Sequence, residues 1–228
     1  MAGHKDRDHA QLSPSSANRW TTCTPSARLE SLFPNYTSEA AEEGTLAHEL
    51  AEAKLRFKFG LISPQKLAGT RRKLMKDPLW KDEMESTTDK YVEMIWGDAL
   101  GFSVMPMVII EEQLDLSDWI PEGFGTCDCA LIGDGKINVY DYKHGMGTKV
   151  TAYQNKQEYI YALGVYKKYG WMTQVNSVQL GIIQPRMPDG ITTYDCSLQE
   201  VLDYGEQLKV TADAAFRGEG KQVCGDHC

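Results

Sequence analysis

The feature that most constrains this chain is a pair of short runs, "GTCDCALI" (125–132) and "KINVYDYK" (136–143), joined through Asp134-Gly135. An Asp-Gly pair tolerates the positive φ that a two-residue hairpin demands, so the runs read as antiparallel strands in a fixed register. With Asp134 and Gly135 as the loop, Gly133 faces Lys136 and, stepping outward, Asp128 faces Asp141. Facing Cβ atoms lie about 4.5–5.5 Å apart, and like charges so placed destabilise a sheet. At about 5 Å and an effective dielectric near 20, the repulsion is on the order of 3 kcal/mol. Lys143 is two residues beyond Asp141 and projects from the same face. A divalent cation between the carboxylates relieves the repulsion and brings hydrolytic chemistry with it. The competing reading is a structural ion pair of Lys143 with either aspartate on a solvated face. A one-residue bulge would undo the register on which both readings rest.

Around this hairpin the periodicity alternates between helix and strand. Residues 1–11 are polar and aperiodic and read as a disordered tail, followed by one domain over 12–228. Within it, 12–105 is helical, 106–217 forms the core, and 218–228 is a cysteine-bearing tail that reads as truncated. "LSPSSANRW" and "PSARLESLF" start short helices, 45–57 carries an apolar stripe, and 63–78 and 80–100 continue as helices. Strands follow at 107–116, 125–132 and 136–143, then a helix over 151–169. A further strand, "VNSVQLGIIQ", pairs with "ITTYDC", and a last helix opens on the capping box Ser197–Glu200. This order predicts an α/β fold with a mixed sheet flanked by helices and an N-terminal helical extension.

Charge and composition narrow the function. A net charge of −8 argues against a protein that coats nucleic acid by bulk electrostatics, but an enzyme that recruits cations is compatible with it. No apolar run approaches a membrane span, and no signal peptide opens the chain. Six cysteines in a chain of this length do not make a disulfide scaffold, which places the protein in a reducing cytoplasm. Cys127 and Cys129 read as packing residues within a strand.

At these residues the sequence resembles the RecB-like branch of the PD-(D/E)XK nuclease superfamily. The matches are "GTCD" (Gly125–Asp128), "DYK" (Asp141–Lys143), "QEYIY" (Gln157–Tyr161), "EGTLAHELAE" (Glu43–Glu52) and the opening "LSPSSANRWTTCTPSARLE". Taken whole, the chain most resembles an uncharacterised phage and prophage group of RecB-type nuclease-like proteins. The resemblance implies a restriction-endonuclease-like core. It also implies Mg²⁺ or Mn²⁺ held by His48, Asp128, Asp141 and the backbone carbonyl of Tyr142, with Lys143 acting on the attacking water. Asp128, Asp141 and Lys143 would form the catalytic set, while Gln157, Tyr161 and Arg186 would contact substrate. Glu43 and Glu112 are weaker site candidates, and Arg71-Arg72-Lys73 with Lys76 is a candidate patch for the DNA backbone. Without the resemblance, His48 reads as a surface histidine paired with Glu52, Tyr161 as core, and Arg186 as a solvated loop residue.

The same resemblance points to an iron–sulfur cluster in several relatives. Cys23 and Cys228 stand at two of its positions, the remaining ligands are missing, and no assembled cluster is expected. Cys23, Cys224 and Cys228 with His227 are an alternative zinc set. The function expected is thus a metal-dependent deoxyribonuclease, a phage or prophage exonuclease of recombination or DNA-end processing in a bacterial host. Its partners would be DNA and a phage single-strand annealing protein. The alternative is a catalytically silent nuclease fold that binds DNA or docks a partner.

Overall fold

A computed structural model describes residues 10–33 and 37–228. Its centre is a five-stranded sheet of β1 (Met107–Asp115), β2 (Phe124–Gly133), β3 (Lys136–Tyr142), β4 (Ser177–Ile183) and β5 (Ile191–Ser197), in that spatial order. Neighbours run antiparallel except β3 and β4, which are parallel. A parallel pair needs a crossover, and here it runs through the helix α6 (Lys156–Tyr169). The remaining helices are α1 (Ala17–Thr22), α2 (Ser26–Glu30), α3 (Glu39–Lys58), α4 (Pro64–Leu74), α5 (Glu83–Leu100) and α7 (Leu198–Arg217). The expected α/β architecture, a mixed sheet flanked by helices with an N-terminal helical part, is therefore what the chain adopts. Among the described residues, no helix is long and apolar enough to cross a membrane.

Local chemistry sets the element ends. Ser38, Ser63 and Ser197 each accept a backbone N–H of the following turn, so α3 begins upstream of the expected 45 and α7 begins where the capping box lies. Asn155 caps α6 through Gln157 and Glu158 N–H, which makes 151–155 a loop rather than the start of that helix. The hairpin turn has φ of 49° at Asp134 and 72° at Gly135, the mirror-image turn the dipeptide predicts. Residues 1–9 of the expected tail lie outside the described residues. Ala10 and Gln11 belong to the fold: Ala10 is buried, and the Gln11 side chain donates to the Phe216 carbonyl at 3.4 Å.

Two apolar cores sandwich the sheet. On one face β-strand residues such as Leu114, Val139 and Leu180 pack with Trp20, Ile160, Leu163 and Leu208 of α1, α6 and α7. On the other, Ile110, Leu131, Tyr140 and Tyr142 pack with Leu50 of α3 and Ile95 of α5. Each fully buried side chain of this kind contributes roughly 1.5–3 kcal/mol.

Alternation between these faces breaks at one place. In β1, Ile109 faces the α6 core and Ile110 the α3 core, yet Leu114 returns to the α6 core. In β2, Cys127 lies in the α6 core, Cys129 in the α3 core and Ala130 again in the α6 core. A regular strand would keep 127 and 129 together. Both strands therefore invert, β1 at Glu111 and β2 at Asp128. The pairing is unchanged on either side, Ile110 with Cys129 and Glu112 with Cys127. Glu111 takes φ of 49°, the left-handed region, in the middle of a strand.

Candidate active site

The site is built where β3 ends. Asp141 points to the α6 side, where its Oδ1 accepts from Gln157 Nε2 at 2.7 Å and from Lys143 Nζ at 3.0 Å. Gln157 Oε1 accepts a second hydrogen bond from Lys143 at 3.0 Å. Asn155 caps the helix two residues earlier, so its first turn aims Gln157 at the strand. Burial works against the Lys143 ammonium, but the Asp141 charge and hydrogen bond outweigh it and hold the lysine above its ordinary range. Asp141 Oδ2 lies 2.9 Å from the same ammonium, at an angle that makes no hydrogen bond, and is buried.

Asp128 does not share that face. The register of the hairpin is the expected one through Cys129–Tyr140. At Asp128 the strand inverts, and Oδ2 instead accepts the backbone N–H of Tyr142 at 2.8 Å, with His48 Nδ1 at 3.5 Å. The expected side-by-side carboxylates are thus turned apart, one toward α3 and one toward α6. Burial raises the Asp128 carboxyl above its usual range; His48 opposes this, while Asp141 adds to it. His48 sits edge-on to the Tyr142 ring, with centroids 5.2 Å apart. Its expected partner Glu52 is paired with Arg56 instead, at 2.7 Å.

The inversion brings in a residue that sequence reasoning passed over. His48, Glu111 and Asp128 each present a ligand atom within 4.8 Å of the others, and among the described residues no other group of three does so. Burial, then the Asp128 charge, push the Glu111 carboxyl up to about 8. An imidazole nitrogen with carboxylate oxygens suits Mn²⁺, and the carboxylates suit Mg²⁺. The donor set therefore fits the cation expected here. By strict alternation Glu112 would have faced His48. After the inversion it faces the far end of α6, where it binds Lys168 and accepts from the Tyr169 hydroxyl at 3.1 Å, and so it is not a site residue.

Residues 9–228 match the family described as "Protein of unknown function (DUF2800)". The chain belongs to this family. Similarity to a solved structure titled "Crystal structure of SSO0001" is distant: 10% identity over 88% of this chain and 87% of that one, with a TM-score of 0.33. For this DUF2800 member, the geometry of its own residues carries the functional argument.

The other expected residues divide into those the fold brings near the site and those it occupies elsewhere. Tyr161 lies under Gly125, and a Cβ at Gly125 would sit 2.7 Å from Pro14 Cγ and 3.2 Å from the Tyr161 ring, which is why the "GTCD" motif starts with glycine. Its ring lines a cleft of about 190 Å³ with Ser13, Ser15 and Thr126. Arg186 and Glu43 are bound to each other at 2.9 Å. Glu43 also holds Lys81 at 2.5 Å and His144 at 3.1 Å, and Arg186 holds Glu83 at 2.7 Å. Arg186, with 8% of its side chain exposed, is a clamp inside the protein rather than a solvated loop arginine. In the basic run, Arg71 is paired with Glu85 and Lys73 with Glu49, so much of the expected DNA patch is already neutralised. Cys23 accepts from Val223 N–H at 3.4 Å, and His227 and Cys228 both contact the Val223 carbonyl, but the four zinc candidates do not converge as ligands.

Glu158 is the second residue the sequence did not disclose. It is fully buried behind Gln157, with neither carboxylate oxygen hydrogen-bonded, and burial followed by the Asp141 charge raises it well above the carboxylate range. Nothing in its residue type or spacing distinguishes it from a solvated helix glutamate.

Proposed function

We propose that this protein is a Mg²⁺- or Mn²⁺-dependent nuclease that hydrolyses DNA phosphodiester bonds, a phage or prophage exonuclease of the RecB-like PD-(D/E)XK type. The observation that carries the reading is the Lys143 ammonium, held by Asp141 Oδ1 and Gln157 Oε1 at 3.0 Å each, with the unbonded Asp141 Oδ2 beside it. Next to it stands the His48–Glu111–Asp128 donor group. Three motifs far apart in sequence, "EGTLAHELAE", "GTCD…DYK" and "QEYIY", thus supply one locus.

Of the expected ligands, His48, Asp128 and the Tyr142 carbonyl would hold the cation, which supplies Lewis-acid stabilisation of the phosphate, while Asp141, turned to the α6 side, holds Lys143. The protein's own groups do the rest. Asp141 and Gln157 fix the direction of the Lys143 ammonium, which can donate to the attacking water or to a non-bridging phosphate oxygen as charge develops there. Gln157 donates to Asp141 and accepts from Lys143, so one amide sets the orientation of both charged groups. Work on DNA ends beside a single-strand annealing protein would suit such an enzyme, as would a bacterial cytoplasm.

The test is incubation of the chain with end-labelled linear and closed-circular DNA in Mg²⁺, Mn²⁺ or EDTA, beside Asp141→Ala and Lys143→Ala. Cation-dependent loss of linear DNA in the parent, absent in both variants, supports the reading. Full activity in Lys143→Ala would remove the lysine from the chemistry. Absence of cleavage in every cation, with DNA still bound, would favour the silent DNA-binding fold.

A further inference from the structure

Glu111 occupies a backbone conformation that disfavours any residue with a side chain. A left-handed φ inside a strand interrupts the pleat. The other non-glycine residues with positive φ among those described, Glu122, Asp134, Gln154 and Asp189, lie outside the strands, in turns or loops. Strain of this kind persists where surrounding structure demands it. Here it delivers a half-buried carboxylate to Asp128 and His48, within 4.8 Å, on the strand directly opposite the inversion in β2.

What the carboxylate meets there does not satisfy it. Among the described residues none donates a hydrogen bond to it. The Arg56 guanidinium acts on it from α3 but is spent on Glu52 at 2.7 Å and the Ile110 carbonyl at 2.8 Å, while Asp128, Glu52 and Asp141 repel it. Asp141 does not supply the missing partner: its Oδ2, on a side chain with 3% exposure, rests on the Lys143 ammonium at 2.9 Å, and its negative charge acts on both Glu111 and Asp128. We propose that Glu111 is a further cation ligand, so that the site presents His48, Glu111 and Asp128 as one facial set. The paired inversion of β1 and β2 is the device that assembles it. This rests on the metal-dependent reading above and adds to it a ligand from β1.

The test is binding of Mn²⁺ alone to the full chain without DNA, followed by calorimetry and by the loss of the free-ion paramagnetic resonance signal. Parent, Glu111→Gln, Glu111→Gly, Asp128→Asn and Glu112→Gln are compared, with thermal melts of each. Glycine suits the left-handed backbone and keeps the fold available if glutamine does not. The expected result is at least 10-fold weaker Mn²⁺ binding in Glu111→Gln and Glu111→Gly, with Glu112→Gln like the parent and the melting temperature of Glu111→Gly not lowered. Parent-like affinity in both Glu111 variants, with binding lost in Asp128→Asn, would overturn the role of Glu111 and leave the metal site standing. No Mn²⁺ binding by the parent would overturn both.

Discussion

Helix α3 carries two charged neighbourhoods a little over one turn apart, and they are built on opposite principles. Around Glu43 each carboxylate has a cationic or imidazole partner: Lys81, His144 and Arg186 surround Glu43, and Arg186 reaches on to Glu83 and the His144 carbonyl, with only its Nε left without a hydrogen bond. Around His48 the carboxylates outnumber their partners, with Asp128 held by one backbone N–H and one imidazole, and Glu111 by no hydrogen bond among the described residues. The first arrangement locks α3, α5 and the ends of β3 and β4 into one frame. The second keeps two carboxyls short of hydrogen-bond donors inside that frame, and burial raises both above their ordinary range, which is the setting in which the proposed cation would compete with protons for them. The contrast separates scaffold from site more sharply than residue type does, since both are clusters of acids and histidines.

Breaking the satisfied cluster is expected to cost most. Arg186→Met leaves the buried Glu43 short of a partner and should lower unfolding free energy by about 3–5 kcal/mol, read from urea denaturation. The unsatisfied cluster should respond with the opposite sign. In the absence of metal, Glu111→Gly should raise stability by about 1–2 kcal/mol through relief of the left-handed backbone; a loss of stability would mean that Glu111 is a structural residue. Tyr142→Phe sharpens the division at a residue that touches both clusters. Its hydroxyl bonds Thr87 and His144 at 3.1 Å each, while its N–H serves Asp128. The variant should lose about 1 kcal/mol and keep the parent affinity for Mn²⁺.

The smallest effect lies away from both. Asp115 is held down to about 2 by hydrogen bonds from Ser117 and by Lys167. A carboxyl depressed in the folded state adds stability above its unfolded value near 3.8 and loses it as pH falls toward 2. Asp115→Asn should therefore flatten the acid limb of stability between about pH 4 and 2, by a few tenths of a kcal/mol at most for so exposed a group. No change in that limb would show that the Ser117 bonds do not survive in solution.

The hairpin, the five strands and the cap of α7 were legible because each depends on a local code: Asp134-Gly135 for the turn, Ser197 with Glu200 for the helix start, alternation for the strands. The caps Ser38 and Asn155 were not read, and the starts of α3 and α6 were misplaced with them. Asp128, Asp141 and Lys143 were nominated by the hairpin register, His48 and Gln157 only by the family resemblance, and the fold brings Lys143 and Gln157 to Asp141 and His48 to Asp128. Glu111 was not, because alternation is the very rule that fails there. Applied faithfully, it sends Glu112 to the histidine and Glu111 away, and no residue near 111 announces the inversion. A glycine at that position would have flagged it; a glutamate hides it. Arg186 was misread for a related reason, since its partners Glu43 and Glu83 are more than a hundred residues distant in sequence.

The amino-terminal segment has a different lesson. Gln11 bonds the Phe216 carbonyl, Thr24 the Glu219 carbonyl, and Cys23 the Val223 N–H, so the first turns of the fold rest on the end of α7 and on the segment that follows it. Lys156 of α6 also reaches back to Thr21 at 2.8 Å. A chain emerging from the ribosome exposes its first helices long before their seat on α7 exists. Trp20 and Leu12, both fully buried in the folded protein, complete their burial only once α7, about 180 residues further on, has been made. Synthesis would then run well ahead of closure, and the two edges of the same core would be the last to meet.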